Sequence, residues 1–187
     1  MKAKHFLLII LLGIIFFGCG KNSSSSNAID VSGIYEYDNN GNTLTFSSPY
    51  PQWTYMKLSP KELSLFQSLD TASLPNTYIP PIYLSDSIKT FESIFYPNPI
   101  HYVGVINLAG HTPWVFSNLI QGQLLFKYVL VDGLMESKKK GEGLIGLNGT
   151  VDLNLNIPVG RYRLYYTLSA LGHENFYQGW GNVQRLE

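Results

Sequence analysis

Residues 150–168 read TVDLNLNIPVGRYRLYYTL, and apolar and polar side chains alternate along most of this stretch. The apolar positions in its first half are Val151, Leu153, Leu155 and Ile157, and the residues between them are Asp152, Asn154 and Asn156. Successive side chains of a β-strand point to opposite faces, so this pattern predicts a strand with one buried and one wet face. Residues 158–160, PVG, predict a turn, and residues 161–168 repeat the alternation with Tyr165 on the polar face.

Shorter β patterns occur elsewhere in the chain. Residues 33–37 and 43–46 flank the turn-forming sequence DNNGN and predict a hairpin. Further strands are predicted, in chain order, at residues 53–58, 100–108, 123–131 and 144–147. Asp132-Gly133 and Asn148-Gly149 are hairpin turn signals, and the second is expected to join residues 144–147 to the strand that follows.

Two short helices are predicted between these strands. At residues 59–62, SPKE, the Ser59 hydroxyl can accept the Glu62 amide proton while the Glu62 carboxylate accepts that of Ser59. An apolar stripe that includes Phe66 follows and is expected to pack against a sheet. Residues 88–95 carry apolar side chains at spacings of three and four and predict the second helix.

Many short strands with frequent turns predict a mainly β fold. We expect a single antiparallel β-sandwich of the immunoglobulin-like kind, or a small barrel, with one or two short helices. Residues 157–164, IPVGRYRL, are similar to the hairpin "apolar, Pro, any, Gly, any, Tyr" of many immunoglobulin-like and transthyretin-like β-sandwiches. This short resemblance implies the same sandwich architecture.

The composition excludes several classes of protein. The chain has 187 residues with 13 basic and 13 acidic side chains, and 14% of its residues are charged while 14% are aromatic. Since about a quarter of residues are charged in an average globular protein, neither a disordered segment nor a basic nucleic-acid-binding face is expected. A single cysteine excludes an internal disulfide framework and a thiolate metal cluster. The length corresponds to one folded domain.

The N-terminal sequence MKAKHFLLIILLGIIFFGCG has the pattern of a secretion signal. Lys2 and Lys4 precede an apolar run over residues 6–17. A helix needs ~20 apolar residues to cross the hydrocarbon core of a bilayer. The run is too short for that, so we do not expect a membrane-spanning anchor.

Phe16-Phe17-Gly18-Cys19, at the end of this run, resembles the lipobox of bacterial lipoproteins, with Phe16 where Leu is commonest. The resemblance implies cleavage between Gly18 and Cys19, a diacylglyceryl group on the Cys19 sulfur, and a fatty acyl chain such as palmitate on the new amine. Each buried methylene contributes ~0.8 kcal/mol, so such a lipid holds a protein at a membrane. Gly20, where some lipoproteins have Asp, implies by the same resemblance export to the outer membrane.

These features divide the chain into three parts. Residues 1–18 are the expected lipoprotein signal peptide, and residues 19–28 comprise the lipidated cysteine and a Ser-rich tether. The tether contains KNSSSSN, which offers no apolar side chain to bury and is expected to be flexible. Residues 29–187 form the expected single β-rich domain.

The sequence contains no recognisable catalytic or metal-binding motif. The histidines after residue 18 are His101, His111 and His173, and none belongs to an H-E-x-x-H motif. No serine lies in a G-x-S-x-G motif, and residues 141–146, GEGLIG, lead into a β pattern and are interpreted as a glycine-rich turn. A hydrolase would need a pocket that brings a histidine to a serine or carboxylate. We therefore predict no enzyme activity, no cofactor and no metal.

Aromatic residues are the one excess that suggests a function. Trp53, Trp114, Trp180 and Tyr165 can form a stacking platform for a sugar or peptide, or can anchor the sandwich core. The sequence predicts a lipid-anchored envelope protein that acts as a non-catalytic interaction or structural module, held at the membrane through Cys19. Its expected partner is an envelope protein or a glycan, and not nucleic acid. The alternative is a ligand-binding β-sandwich for a glycan or small apolar molecule.

Overall fold

The computed structural model describes residues 28–48, 51–69, 72–79, 84–85, 91–96, 98–101, 103–110, 122–146 and 150–187. Within these ranges the protein is mainly β, with one short helix and antiparallel sheets that are not closed into a barrel. The predicted mainly β, sandwich-like fold is confirmed.

The described elements form three sheets. The strands are β1 (Tyr35–Tyr37), β2 (Thr43–Phe46), β3 (Phe91–Tyr96), β4 (Val103–Gly110), β5 (Gln123–Val131), β6 (Ser137–Gly146), β7 (Thr150–Asn154), β8 (Gly160–Ala170) and β9 (His173–Arg185), and the helix is α1 (Pro60–Ser64). β1 and β2 form a hairpin, and the other sheets have the strand orders β3-β4-β7 and β6-β5-β8-β9. Every strand pair is antiparallel.

Strands β5, β8 and β9 of the four-stranded sheet are buried on both faces. On the first face, Phe126 of β5, Leu164 of β8 and Val183 of β9 share one core with Phe95 of β3 and Leu153 of β7. This face therefore packs against the three-stranded sheet, which makes the arrangement sandwich-like.

The second face of the same sheet is covered by α1 and the residues beside it. Val129 of β5, Tyr165 of β8 and Trp180 of β9 pack there with Leu58 and Phe66. Since β8 is covered on both sides, nine of its residues in succession from Tyr162 are buried, although their sequence alternates.

The outer edge of β9 is paired with side-chain amides and loop backbone. Asn98 is fully buried, and its Nδ2 donates to the carbonyl oxygens of Tyr35 at 2.8 Å and Asn182 at 3.0 Å. Its Oδ1 accepts the amide proton of Gln184 at 3.1 Å. The Asn98 side chain thus takes the place of a neighbouring strand and ties β1 to β9.

Several predictions from local patterns are confirmed. In β7 and the residues after it, Leu153, Leu155 and Ile157 are buried while the residues between them are exposed. The predicted first hairpin is β1–β2, and the turn at Asp132-Gly133 joins β5 to β6. The Tyr162 hydroxyl donates to the Pro158 carbonyl oxygen at 2.8 Å, which fixes the turn before β8.

The capping box at the start of α1 is also confirmed. The Ser59 amide donates to Glu62 Oε2 at 2.7 Å, and the Glu62 amide donates to Ser59 Oγ at 3.3 Å. The helix itself has only five residues. The Ser59–Glu62 capping box therefore predicted the start of the helix correctly, whereas the length of the helix depends on the packing around it.

The predicted second helix is wrong over its described part. Residues 91–96 form β3, which pairs with β4 in a register that places Phe95 opposite Ile106. Spacings of three and four among so few apolar residues do not separate a helix from a buried strand. Pairing with β4 decided between them.

Two predictions about β6 are wrong. Residues 141–146 belong to this strand and pair with β5, so they do not form a glycine-rich turn. β6 and β7 lie in different sheets, so they do not form the hairpin that Asn148-Gly149 predicted. Those two residues themselves lie outside the described ranges.

Residues 53–58 were predicted to be a strand, and they form none. They run beside β9, where the Trp53 amide donates to the Trp180 carbonyl oxygen at 2.9 Å and the Met56 amide to the Gln178 carbonyl oxygen at 2.8 Å. These bonds cover part of the β9 edge.

Candidate functional site

Trp53, a predicted ligand-contact residue, lies in the core between the two larger sheets. Its side chain is 1% exposed. It stacks on Phe95 at 5.4 Å with an interplanar angle of 17°, and on Tyr166 at 6.2 Å with an angle of 11°. Trp53 therefore presents no surface to a ligand in this structure and anchors the core, which is the other role that its residue type suggested.

Tyr165 was expected on a wet face, and that expectation is wrong. Its side chain is fully buried because α1 and its flanking residues, including Leu58 and Phe66, cover this face of the sheet. Burial raises the pKa of the Tyr165 hydroxyl to about 12, and the nearby Glu62 carboxylate acts in the same direction. The apolar stripe after Ser59 was the sequence signal that this face would be covered.

Trp180 lies on the helix-covered face of β9. Its side chain is 7% exposed, and its indole N–H donates to the Met56 sulfur at 2.7 Å. Trp114, the fourth member of the predicted platform, lies outside the described residues, as do Gly18 and Cys19. Trp53 and Trp180 therefore pack on opposite faces of the four-stranded sheet, and Tyr165 is buried on the same face as Trp180.

Arg163 is the residue that makes the surroundings of Trp180 unusual. Its guanidinium carbon lies 3.8 Å from the centroid of the Trp180 ring, in a cation–π contact. Nε donates to Asn182 Oδ1 at 3.0 Å, and Nη2 donates to the backbone carbonyl oxygen of Asp30. The side chain is 9% exposed, and no carboxylate among the described residues forms an ion pair with it.

The carboxylate of Asp30 has other partners. Its Oδ1 accepts the Ser32 hydroxyl at 2.6 Å and the Ser32 amide at 2.8 Å. The hydroxyl bond is the main reason that the pKa of Asp30 lies below its ordinary value, and the more distant charge of Arg163 adds to the effect. Asp30 therefore binds Arg163 through its backbone oxygen only.

A network of buried amides holds the first described residues against β8 and β9. Asn182 Nδ2 donates to the Gly33 carbonyl oxygen at 2.7 Å, and Gln52 Nε2 donates to the same oxygen at 2.9 Å. The Asn182 amide in turn donates to Gln52 Oε1 at 2.9 Å. Arg161 Nη1 bonds the Ser32 carbonyl oxygen at 2.9 Å. Residues 30–33 are thus fixed by side chains that come from distant parts of the sequence.

A cavity of about 290 Å³ opens beside this network and is lined by Ile29, Asp30, Arg163 and Trp180. A smaller cavity of about 170 Å³ lies between the helical segment and the sheet, where Phe66, Lys127 and Asn175 contribute to its lining. The larger one combines a buried cation, an indole and an aliphatic side chain. The sequence did not single out Arg163, because its contacts are with residues far away in the chain.

His101 and His173 are the histidines among the described residues. His101 Nδ1 lies 2.7 Å from the Glu187 carbonyl oxygen, and His173 is the first residue of β9, while His111 lies outside the described ranges. Within those ranges no three His, Cys, Asp or Glu side chains are placed to hold a metal ion. The described helix is also too short to cross a bilayer.

Comparison of this chain with protein-family models, with curated proteins and with solved structures gave no match.

Proposed function

We propose that this chain is a lipid-anchored bacterial envelope protein whose β domain acts by contact, as an interaction or structural module without catalysis. The observation that carries the proposal is Phe16-Phe17-Gly18-Cys19 at the end of an apolar run, with Cys19 the only cysteine of the chain. The lipid on Cys19 would supply the membrane affinity, with the outer membrane as the expected destination.

The folded domain supports the proposal by the way in which its first residues are attached. The Ile29 amide donates to the Gly133 carbonyl oxygen at 2.8 Å, and residues 30–33 are held by Arg161, Arg163 and Asn182. A force transmitted along the tether would therefore enter the four-stranded sheet directly. Such an attachment suits a domain that is held at a surface.

The alternative function, binding of a glycan or small apolar molecule, has one supporting observation. A cavity lies beside Trp180, although Trp53 and Tyr165 are buried in the cores on either side of the sheet. A ligand would therefore contact the Trp180 side of the domain and not a broad aromatic platform.

The anchor is tested by expressing the full chain in a Gram-negative bacterium with labelled palmitate. We expect label in the wild-type chain and partition into the detergent phase of a Triton X-114 extract. Cys19→Ala should carry no label and stay in the aqueous phase, while Ser23→Ala, a matched change in the tether, should behave as wild type. Label on the Cys19→Ala variant, or an aqueous wild-type chain with a free thiol, would refute the proposal.

A further inference from the structure

The Arg163 guanidinium has donor capacity that the described residues do not use. Five N–H groups are available on an arginine, and those of Nε and Nη2 bond Asn182 and Asp30. The Tyr165 hydroxyl lies near the guanidinium but makes no well-formed hydrogen bond with it, so donor capacity remains on the guanidinium. A cation this deeply buried is usually paired with an anion. Its pairing partners here are neutral oxygen atoms and the face of Trp180.

The cavity at Arg163 has the size and lining for a small ligand. It measures about 290 Å³, close to the lower end of the ~300–1,000 Å³ range of ligand pockets. A single aromatic ring fits an apolar cavity of ~150 Å³, so a ring with one substituent can be accommodated. Ile29 and Trp180 supply apolar contact area, and Arg163 supplies the charge.

We propose that the cavity lined by Ile29, Asp30, Arg163 and Trp180 binds a small organic monocarboxylate with an apolar body. The carboxylate accepts hydrogen bonds from the Nη1 side of Arg163, and the apolar body contacts Ile29 and Trp180. The indole that stacks on the guanidinium holds it in position before the ligand arrives. The Asp30 carboxylate forms no ion pair with Arg163, and its Oδ1 accepts the Ser32 amide and hydroxyl protons instead.

The first test compares two probes on the unaltered full chain in detergent. Benzoate and benzamide have nearly the same shape, and only benzoate carries a charge. At constant ionic strength, calorimetric titration should show at least tenfold tighter binding of benzoate than of benzamide. Equal affinity for the two probes, or no benzoate binding, would overturn the proposal.

The second test uses charge changes with matched controls. Arg163→Gln should weaken benzoate binding ~10- to 100-fold, whereas Lys139→Gln, in β6 at the other edge of the same sheet and outside the cavity lining, should leave it unchanged. Because Arg163→Gln also removes bonds to residue 30, Ile29→Glu and Ile29→Gln form a second pair that differs only in charge at the cavity wall. A larger loss of benzoate affinity in Ile29→Glu than in Ile29→Gln supports the site, and an equal loss of affinity in the two variants refutes it.

These titrations do not depend on acylation, so their outcome is independent of the proposed lipid anchor. A domain that binds benzoate without a lipid, or a lipidated chain that does not bind benzoate, would separate the two proposals clearly.

Discussion

Gly181 of β9 is the position at which the core packing makes its sharpest prediction. A Cβ atom added there would lie 2.0 Å from Trp53 Cε2 and 2.3 Å from Cδ2. Trp53 has no room to withdraw, because Phe95 and Tyr166 stack on it and its side chain is 1% exposed. Gly181→Ala must therefore displace the indole or separate the two larger sheets.

The expected magnitude follows from two opposing contributions. Replacing an unstrained strand glycine by alanine stabilises a protein by ~0.5–1 kcal/mol, because the unfolded chain loses freedom. Overpacking of a core costs ~1–3 kcal/mol, and loss of a buried tryptophan side chain costs ~3–5 kcal/mol. Since the overlap involves a rigid ring, we expect Gly181→Ala to lower the free energy of unfolding by about 3 kcal/mol.

Urea unfolding followed by circular dichroism measures this loss. Gly143→Ala in β6 is the matched control, because a Cβ atom there meets nothing within 4 Å, and it should be neutral or slightly stabilising. In a Trp53→Leu background the same Gly181→Ala change should cost less than about 1 kcal/mol, since the overlap is gone. Similar stability of Gly181→Ala and Gly143→Ala would refute the described position of Trp53.

Three further predictions concern hydrogen bonds and one carboxylate. Tyr162→Phe should lower the free energy of unfolding by about 1 kcal/mol, because the Tyr162 hydroxyl makes a 2.8 Å hydrogen bond. Tyr165→Phe should change it by less than about 0.5 kcal/mol, because the buried Tyr165 hydroxyl has no hydrogen-bond partner among the described residues. Equal losses for the two variants in urea unfolding would contradict this prediction. Asn98→Asp keeps the shape of the side chain but turns an oxygen toward two carbonyl groups, so we expect the free energy of unfolding to fall by about 3 kcal/mol or more. A thermal unfolding curve like that of wild type would argue against the described role of Asn98. Hydrogen bonds from the side chain and backbone of Asn42 hold the pKa of the Asp38 carboxyl below its ordinary value of about 3.9. The small stabilising contribution of this carboxylate is therefore present above that pH and is lost as the pH falls through the lower folded-state pKa. An NMR titration should show the lowered midpoint in wild type and a rise toward the ordinary value in Asn42→Ala, and an unshifted wild-type midpoint would refute the prediction.

The candidate site was only partly visible in the sequence. Trp180 was singled out for its residue type, and it does line the larger cavity. Arg163 and Ile29 were not, because their roles depend on contacts with residues far away in the chain. The Arg163 bond to residue 30 crosses 133 positions, and no local pattern carries such information.

Local chemistry determined those parts of the fold that need only neighbouring residues. The capping box of Ser59 and Glu62 and the turn at Asp132-Gly133 each involve groups a few residues apart, so their geometry follows from the sequence directly. The alternation from Val151 to Ile157 was informative because one face of that segment remains in water. There, burial and side-chain polarity agree.

Tertiary structure decided what alternation and spacing leave open. Tyr165 is buried because a helical segment distant in sequence covers the face of β8 that the alternation predicted to be polar. Residues 91–96 form a strand because their backbone pairs with β4. The core position of Trp53 depends on Gly181, a residue without a side chain 128 positions later in the chain. A sequence records the polarity of each residue, whereas burial is a property of what packs against it, and that is set only when the chain has folded.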